Sequence, residues 1–176
     1  MSAEELDRPE NRRKIAAQVA SKKLTRESVL ASIVELLDLT GVRVGNDEYA
    51  IANDSYGLTT LRDRHVVRTD SGVELQFRGK GGVHRNVLIE DKALGRFVES
   101  CAAISGRRLF QCVDGDDKVR PVQSADVNEF LQEMTGESVT AKDFRTWKAS
   151  AQAAAQLLKA GPLDTKSARK RVAREV

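Results

Sequence analysis

The apolar pattern of this chain changes twice, and the two changes restrict its architecture more than any other feature. Val29, Leu30, Ile33, Val34, Leu36 and Leu37 recur with a period near 3.6, which predicts a helix with a buried face. Thr25 can cap that helix, Glu27 lies in its first turn, and Gly41 can end it. The next stretch is β-rich: Leu58-Thr-Thr-Leu61, His65-Val-Val-Arg68, Val73-Glu-Leu-Gln-Phe77 and Asn86-Val-Leu-Ile89. Asp70-Ser-Gly72 and Gly79-Lys-Gly-Gly82 are turn signals between these runs. Together they predict an antiparallel meander of three strands with Lys80 at the tip of its second hairpin. The helical period then returns. Leu94, Phe97, Val98 and Cys101 share a face behind Asp91, and Val127, Phe130, Leu131 and Met134 share another between Ser124 and Gly136. Thr140-Ala-Lys-Asp143 has the spacing of a capping box before a long Ala-rich helix that ends at Gly161-Pro162. A last basic helix is predicted from about Thr165. The fold class is α+β and mainly helical, with a small three-stranded antiparallel sheet.

Residues 1–24 read as a leader, frayed to about residue 12 and weakly helical from Arg13 to Ser21; residues 25–176 read as the body. A chain of 176 residues suffices for one domain with a real core. Two cysteines, Cys101 and Cys112, make no disulfide framework and favour a reducing, cytosolic setting. With only two histidines besides, the sequence does not point to a structural zinc site. Asp114-Gly-Asp-Asp117 lacks the further spaced ligands of a calcium loop and reads as a solvated turn. There is no apolar run of membrane-spanning length and no signal peptide. The net charge is only +3, but Lys166, Arg169, Lys170, Arg171 and Arg174 concentrate at the end against Glu175. That strip is either a solvated helix face or a surface that meets a polyanion.

Three cations sit where the backbone should hold them. Arg43 follows a helix end between two valines, with its backbone fixed and partly buried. Lys80 lies at a hairpin tip between glycines, and Arg145 lies on the first or second turn of a capped helix between Phe144 and Trp147. Singly, each has a plain alternative: a surface salt bridge, a solvated hairpin lysine, a partner for a core carboxylate. Together, two guanidinium forks and a proton-bearing lysine match a phosphoryl transition state. The two arginines are expected to converge on one concave face, with Lys80 swung out when no phosphate is bound. No tyrosine lies beyond Tyr56 and no histidine beyond His84.

Gly41-Val-Arg-Val-Gly-Asn-Asp-Glu-Tyr49, Asn53-Asp-Ser-Tyr-Gly-Leu-Thr-Thr-Leu61 and His65-Val resemble the type IB DNA topoisomerases, particularly the short bacterial and poxvirus-like enzymes. Phe77-Arg-Gly-Lys-Gly-Gly82 is similar to that family's lysine hairpin, and Ser124-Ala-Asp-Val-Asn128 and Thr140-Ala-Lys-Asp-Phe-Arg-Thr-Trp147 to its downstream helices. The resemblance runs from about Thr25 to the end. It implies an enzyme that relaxes supercoiled duplex DNA through a 3′-phosphotyrosyl intermediate, as a monomer in the cytoplasm at the bacterial nucleoid, with no metal, ATP or other cofactor. It implies that Arg43 and Arg145 hold the non-bridging oxygens and that Lys80 protonates the departing 5′-oxygen. Lys142 adds nearby positive charge and Tyr49 positions the phosphate. His84, after the lysine hairpin, either contacts the DNA backbone or is a strand residue at a sheet edge.

The family pattern goes on to a nucleophilic tyrosine that these residues do not contain, and it includes an N-terminal clamp domain without a counterpart here. The resemblance therefore implies a fragment of the catalytic domain, inactive by itself. Two other readings remain open: a non-catalytic DNA-binding module with the same fold, and a fragment of a tyrosine recombinase.

Overall fold

The computed structural model describes residues 6–21, 23–104, 106–113, 118–136 and 138–160. Among these residues the helices are α1 (Pro9–Val19), α2 (Arg26–Thr40), α3 (Asp47–Asn53), α4 (Lys92–Ala102), α5 (Ser124–Thr135) and α6 (Ala141–Ala160). The strands form a meander, β1 (Val66–Thr69), β2 (Gly72–Arg78) and β3 (His84–Ile89), and a ribbon, β4 (Gln111–Val113) and β5 (Val119–Pro121). The fold is α+β and mainly helical, as the change of period predicts.

α2 is the central element. Its Val29, Leu30, Ile33, Val34, Leu36 and Leu37 are buried, and so are Ser28, Ala31 and Ser32 on the remaining faces. A helix buried almost all round must be packed on several sides; here α1, α4, α5, α6 and β4 surround it. Its buried hydroxyls find local acceptors: Ser28 Oγ donates to Lys23 O at 2.7 Å and Ser32 Oγ to Val29 O at 2.7 Å. The ends follow the sequence. Thr25 Oγ1 accepts from Ser28 N, and Gly41 closes the helix in the left-handed conformation at φ 62°.

The meander is antiparallel in the order β1-β2-β3, with Leu75 opposite Val66 and Val87. Val73, Leu75 and Phe77 alternate inward, and α4 covers them with Leu94, Phe97, Val98 and Cys101. Burial pushes the Cys101 thiol up to about 12, so it packs as an apolar group. The capping box of α6 is present: Asp143 Oδ2 accepts from Thr140 N, and Thr140 Oγ1 from Asp143 N.

The structure differs from the sequence expectations in four places. α1 begins at Pro9, before the expected weak helix at Arg13, because a proline suits the first helical position and Arg12 pairs with Asp38 and Glu35 on α2. Leu6 and Ile15 enter the core with it. Leu58–Thr60 is a 3-10 turn instead of a strand. α3 was not signalled, since none of its residues is buried. The β4–β5 ribbon was not signalled either. The expected Asp114–Asp117 turn, the stop at Gly161-Pro162 and the last basic helix lie outside the described residues.

Candidate active site

Arg43 is fixed through its backbone. Val42 is buried, Arg43 O accepts from Leu58 N at 2.9 Å, and Val44 O accepts from Thr59 N at 2.7 Å and Thr59 Oγ1 at 2.9 Å. The strand-like stretch 42–45 is thus strapped to the 58–60 turn. The strap closes because residue 57 has no side chain: a Cβ there would lie 2.5 Å from both Arg43 O and Gly45 N. The Arg43 side chain is exposed, free to reach a ligand.

The same turn locates Lys80. Tyr56 N donates to Arg78 O at 2.7 Å, which draws the end of β2 against the strap. The hairpin tip is a 3-10 turn, Lys80–Gly82, closed by Gly79 N to Val83 O at 2.7 Å. Gly81 and Gly82 both sit at φ 76°, a region costly for any other residue. Lys80 Nζ lies 5.6 Å from the centre of the Tyr49 ring, within cation–π range. The expected swing outward is not seen: Lys80 stays at the hollow beside Arg43 and Arg145 and rests against an aromatic face.

Arg145 stands on the second turn of α6. Its Nε donates to Gly41 O at 2.8 Å, at the capped end of α2. One turn further, Lys148 Nζ donates to Asp38 at 3.0 Å. These two contacts fix the register of α6 on α2. With Nε engaged, both terminal guanidinium nitrogens of Arg145 remain available as a fork.

The three cations line one concavity of about 270 Å³ with Asn46, Tyr49, Ser55, Tyr56 and Lys142. A second hollow of about 270 Å³ shares Arg43, Tyr56, Lys80 and Arg145 and adds Phe77, Gly79 and Arg85. Among the described residues no carboxylate pairs with Arg43, Lys80 or Arg145. Burial, then the positive charges of Arg43 and Arg85, hold the Arg145 guanidinium below its ordinary range, though an arginine so placed stays charged. The nearest acid on α6, Asp143, is turned to the cap, where bonds from Thr140 hold its carboxyl below the usual value. The arrangement is an uncompensated positive hollow suited to an anion with several oxygens.

Five of the six residues singled out from sequence meet here: Arg43, Lys80, Arg145, Tyr49 and Lys142. His84 does not. It is exposed on β3 opposite Arg78 and lines neither hollow. Arg85 and Ser55 were missed, because only the strand register and the turn at Tyr56 bring them in. Tyr56 is buried, donates its hydroxyl to Asp54 at 2.7 Å and accepts from Arg64 at 3.1 Å, with the His65 ring 4.5 Å away. Among the described residues no cluster of His, Cys, Asp or Glu could hold a metal ion, and no helix is long and apolar enough to cross a membrane.

Residues 6–175 match the family described as the catalytic core of eukaryotic DNA topoisomerase I. A DNA topoisomerase 1B of Acanthamoeba polyphaga mimivirus is 33% identical over 129 residues, which cover 71% of this chain and 38% of that protein. A DNA topoisomerase 1 of Mycosarcoma maydis is 27% identical over 146 residues, covering 73% of this chain and 14% of the relative. The chain thus spans well under half the length of either relative. The family match extends over nearly all its residues, and the chain belongs to the type IB DNA topoisomerases, as part of their catalytic core.

Proposed function

We propose that this chain supplies the phosphate-gripping part of an enzyme that relaxes supercoiled duplex DNA by transient cleavage and religation of one strand. Arg43 and Arg145 hold the two non-bridging oxygens of the scissile phosphate. As negative charge grows on those oxygens in the transition state, two permanent guanidinium charges stabilise it without having to reorganise. Lys80 leaves the Tyr49 ring and gives its proton to the departing 5′-oxygen, which leaves poorly as an alkoxide. Tyr49 and Lys142 position the phosphate from the rim, and His84 contacts the DNA backbone farther along the surface.

The attacking group is neither Tyr49 nor Tyr56. Tyr56 is buried with its hydroxyl bonded to Asp54 and Arg64, and the Tyr49 ring carries Lys80. Covalent attack needs a free, positioned oxygen nucleophile. This polypeptide alone therefore binds DNA without cleaving it. The reading includes a monomer acting in the cytoplasm at the bacterial nucleoid. Cys101 and Cys112 are buried and form no disulfide, consistent with that reducing setting.

The observation that carries the reading is the convergence of three distant cations on one hollow without a counter-carboxylate among the described residues. A duplex-DNA titration of the 176-residue chain at several salt concentrations tests it. Log affinity should fall linearly with log salt, by roughly 0.9 per phosphate neutralised, and Arg43→Ala should reduce the slope by about one phosphate. Salt-independent binding, or a slope unchanged by Arg43→Ala, contradicts it.

A further inference from the structure

The two hollows share Arg43, Tyr56, Lys80 and Arg145 but differ beyond them. On one side lie Tyr49 and Lys142; on the other lies Arg85, which neither the sequence motifs nor the proposed mechanism uses. Its placement follows from the register of the meander. Arg85 pairs directly with Phe77. Directly opposed residues in an antiparallel pair stand on the same face, and Phe77 is buried. Arg85 is therefore an arginine on the inward face of the sheet, at its very end, beside the lysine hairpin.

Its stem lies beside Gly79: a Cβ at that position would meet Arg85 Cγ at 3.4 Å, an ordinary contact. Its charge is felt by Arg145, as is that of Arg43. No carboxylate pairs with Arg85 among the described residues. Arg85 is exposed, with its charge turned to the rim of the hollow. Here it adds a fourth cation to a cluster already self-repelling, an arrangement that costs stability unless an anion is bound between the charges.

We propose that Arg85 binds a second phosphate, the immediate neighbour on the same strand of the one gripped by Arg43 and Arg145. The site then reads two consecutive phosphates as a pair, one in each hollow. The inference rests on the phosphate-site reading above and extends it. The two hollows adjoin along Arg43, Tyr56, Lys80 and Arg145, and Arg85 lines only the one that lacks Tyr49 and Lys142.

The test uses the 176-residue chain and three probes followed by NMR: thymidylyl-thymidine, with one internal phosphate, and its 5′-phosphorylated and 3′-phosphorylated forms, with two. Arg85→Ala should weaken one of the two-phosphate probes about tenfold and the one-phosphate probe by less than about twofold. Arg43→Ala should weaken all three about tenfold. Arg85→Lys, which keeps charge but not the fork, should fall between wild type and Arg85→Ala. Thermal midpoints of the variants check that the exposed substitution leaves the fold intact. Equal loss for the one- and two-phosphate probes places Arg85 on the same phosphate as Arg43 and overturns the proposal. So does no loss for any probe, or no binding of the two-phosphate probes to the wild type. If Arg85→Ala discriminates while Arg43→Ala has no effect, the second phosphate stands and the assignment of Arg43 fails.

Discussion

Gly57 links the fold to the site, and Gly57→Ala is the perturbation that exposes the link. Its φ of −136° suits any residue, so the substitution introduces no backbone strain of its own. The cost is entirely contact. The new Cβ would meet Arg43 O at 2.5 Å, Gly45 N at 2.5 Å and Gly45 Cα at 2.6 Å. All three are backbone atoms, and none can rotate away. Relief requires the 42–45 strap to retreat by at least about 0.5 Å, which stretches the bonds from Leu58 N to Arg43 O and from Thr59 N to Val44 O. Overpacking of this kind costs about 1–3 kcal/mol, and the upper end applies where rigid backbone is struck from two sides. Gly136→Ala is the matched control. It sits at φ 69° with open space around it and lines neither hollow, so it costs about 1 kcal/mol through conformation alone. Urea unfolding measures both costs, and a duplex-DNA titration measures Arg43. Gly57→Ala should lose about 3 kcal/mol and bind DNA more weakly, approaching Arg43→Ala. Gly136→Ala should lose about 1 kcal/mol and bind as wild type. If Gly57→Ala costs no more than the control, or unfolds more easily while its DNA affinity is unchanged, the strap does not aim Arg43.

Three further outcomes are expected. Asp38→Asn removes the carboxylate that Arg12 and Lys148 share between α1, α2 and α6, and should cost about 1–2 kcal/mol in urea; a change within error means these pairs are merely surface contacts. His65 is held below its ordinary value by burial, with Arg64 and Arg62 adding to the effect, so the unfolded chain takes up its proton first. Its stability contribution is intact above about pH 6.5 and declines as pH falls from there through the folded value, and His65→Gln should flatten that part of the urea-midpoint profile. Tyr49→Leu should release Lys80 from its aromatic rest, seen as loss of the ring-current shift on the lysine side-chain protons, while Tyr49→Phe keeps it.

Features set by nearby residues were legible in the sequence. The apolar face of α2, its Thr25 and Gly41 ends, the meander turns and the Thr140–Asp143 box all involve neighbours within a few positions, and the chain displays them in its own pattern. α3 was invisible because it buries nothing, so no apolar period marks it. The β4–β5 ribbon was invisible because three-residue strands are too short to alternate. Leu58–Thr60 looked β-rich, yet the strap turns it into a 3-10 turn through bonds to residues fifteen positions earlier, such as Leu58 N to Arg43 O. The candidate site divides the same way. Arg43, Lys80 and Arg145 stood out because motifs surround them. Arg85 did not, because its position follows from a cross-strand pairing with Phe77 that no local string encodes.

The central claim is that Lys80 donates a proton to the leaving oxygen while Arg43 and Arg145 stabilise the phosphate. Its most direct test places residues 6–175 of this chain in the matching section of the mimivirus relative and requires the chimera to relax supercoiled DNA. Cleavage is then measured on an ordinary duplex and on one whose scissile 5′-oxygen is replaced by sulfur, since a thiolate leaves without a proton. On ordinary DNA, Arg43→Ala, Arg145→Ala and Lys80→Ala should each slow cleavage by about two to three powers of ten. On the sulfur substrate, Lys80→Ala should recover to near the parent rate and the two arginine variants should not. Equal rescue of all three, or no rescue of Lys80→Ala, contradicts the division of roles.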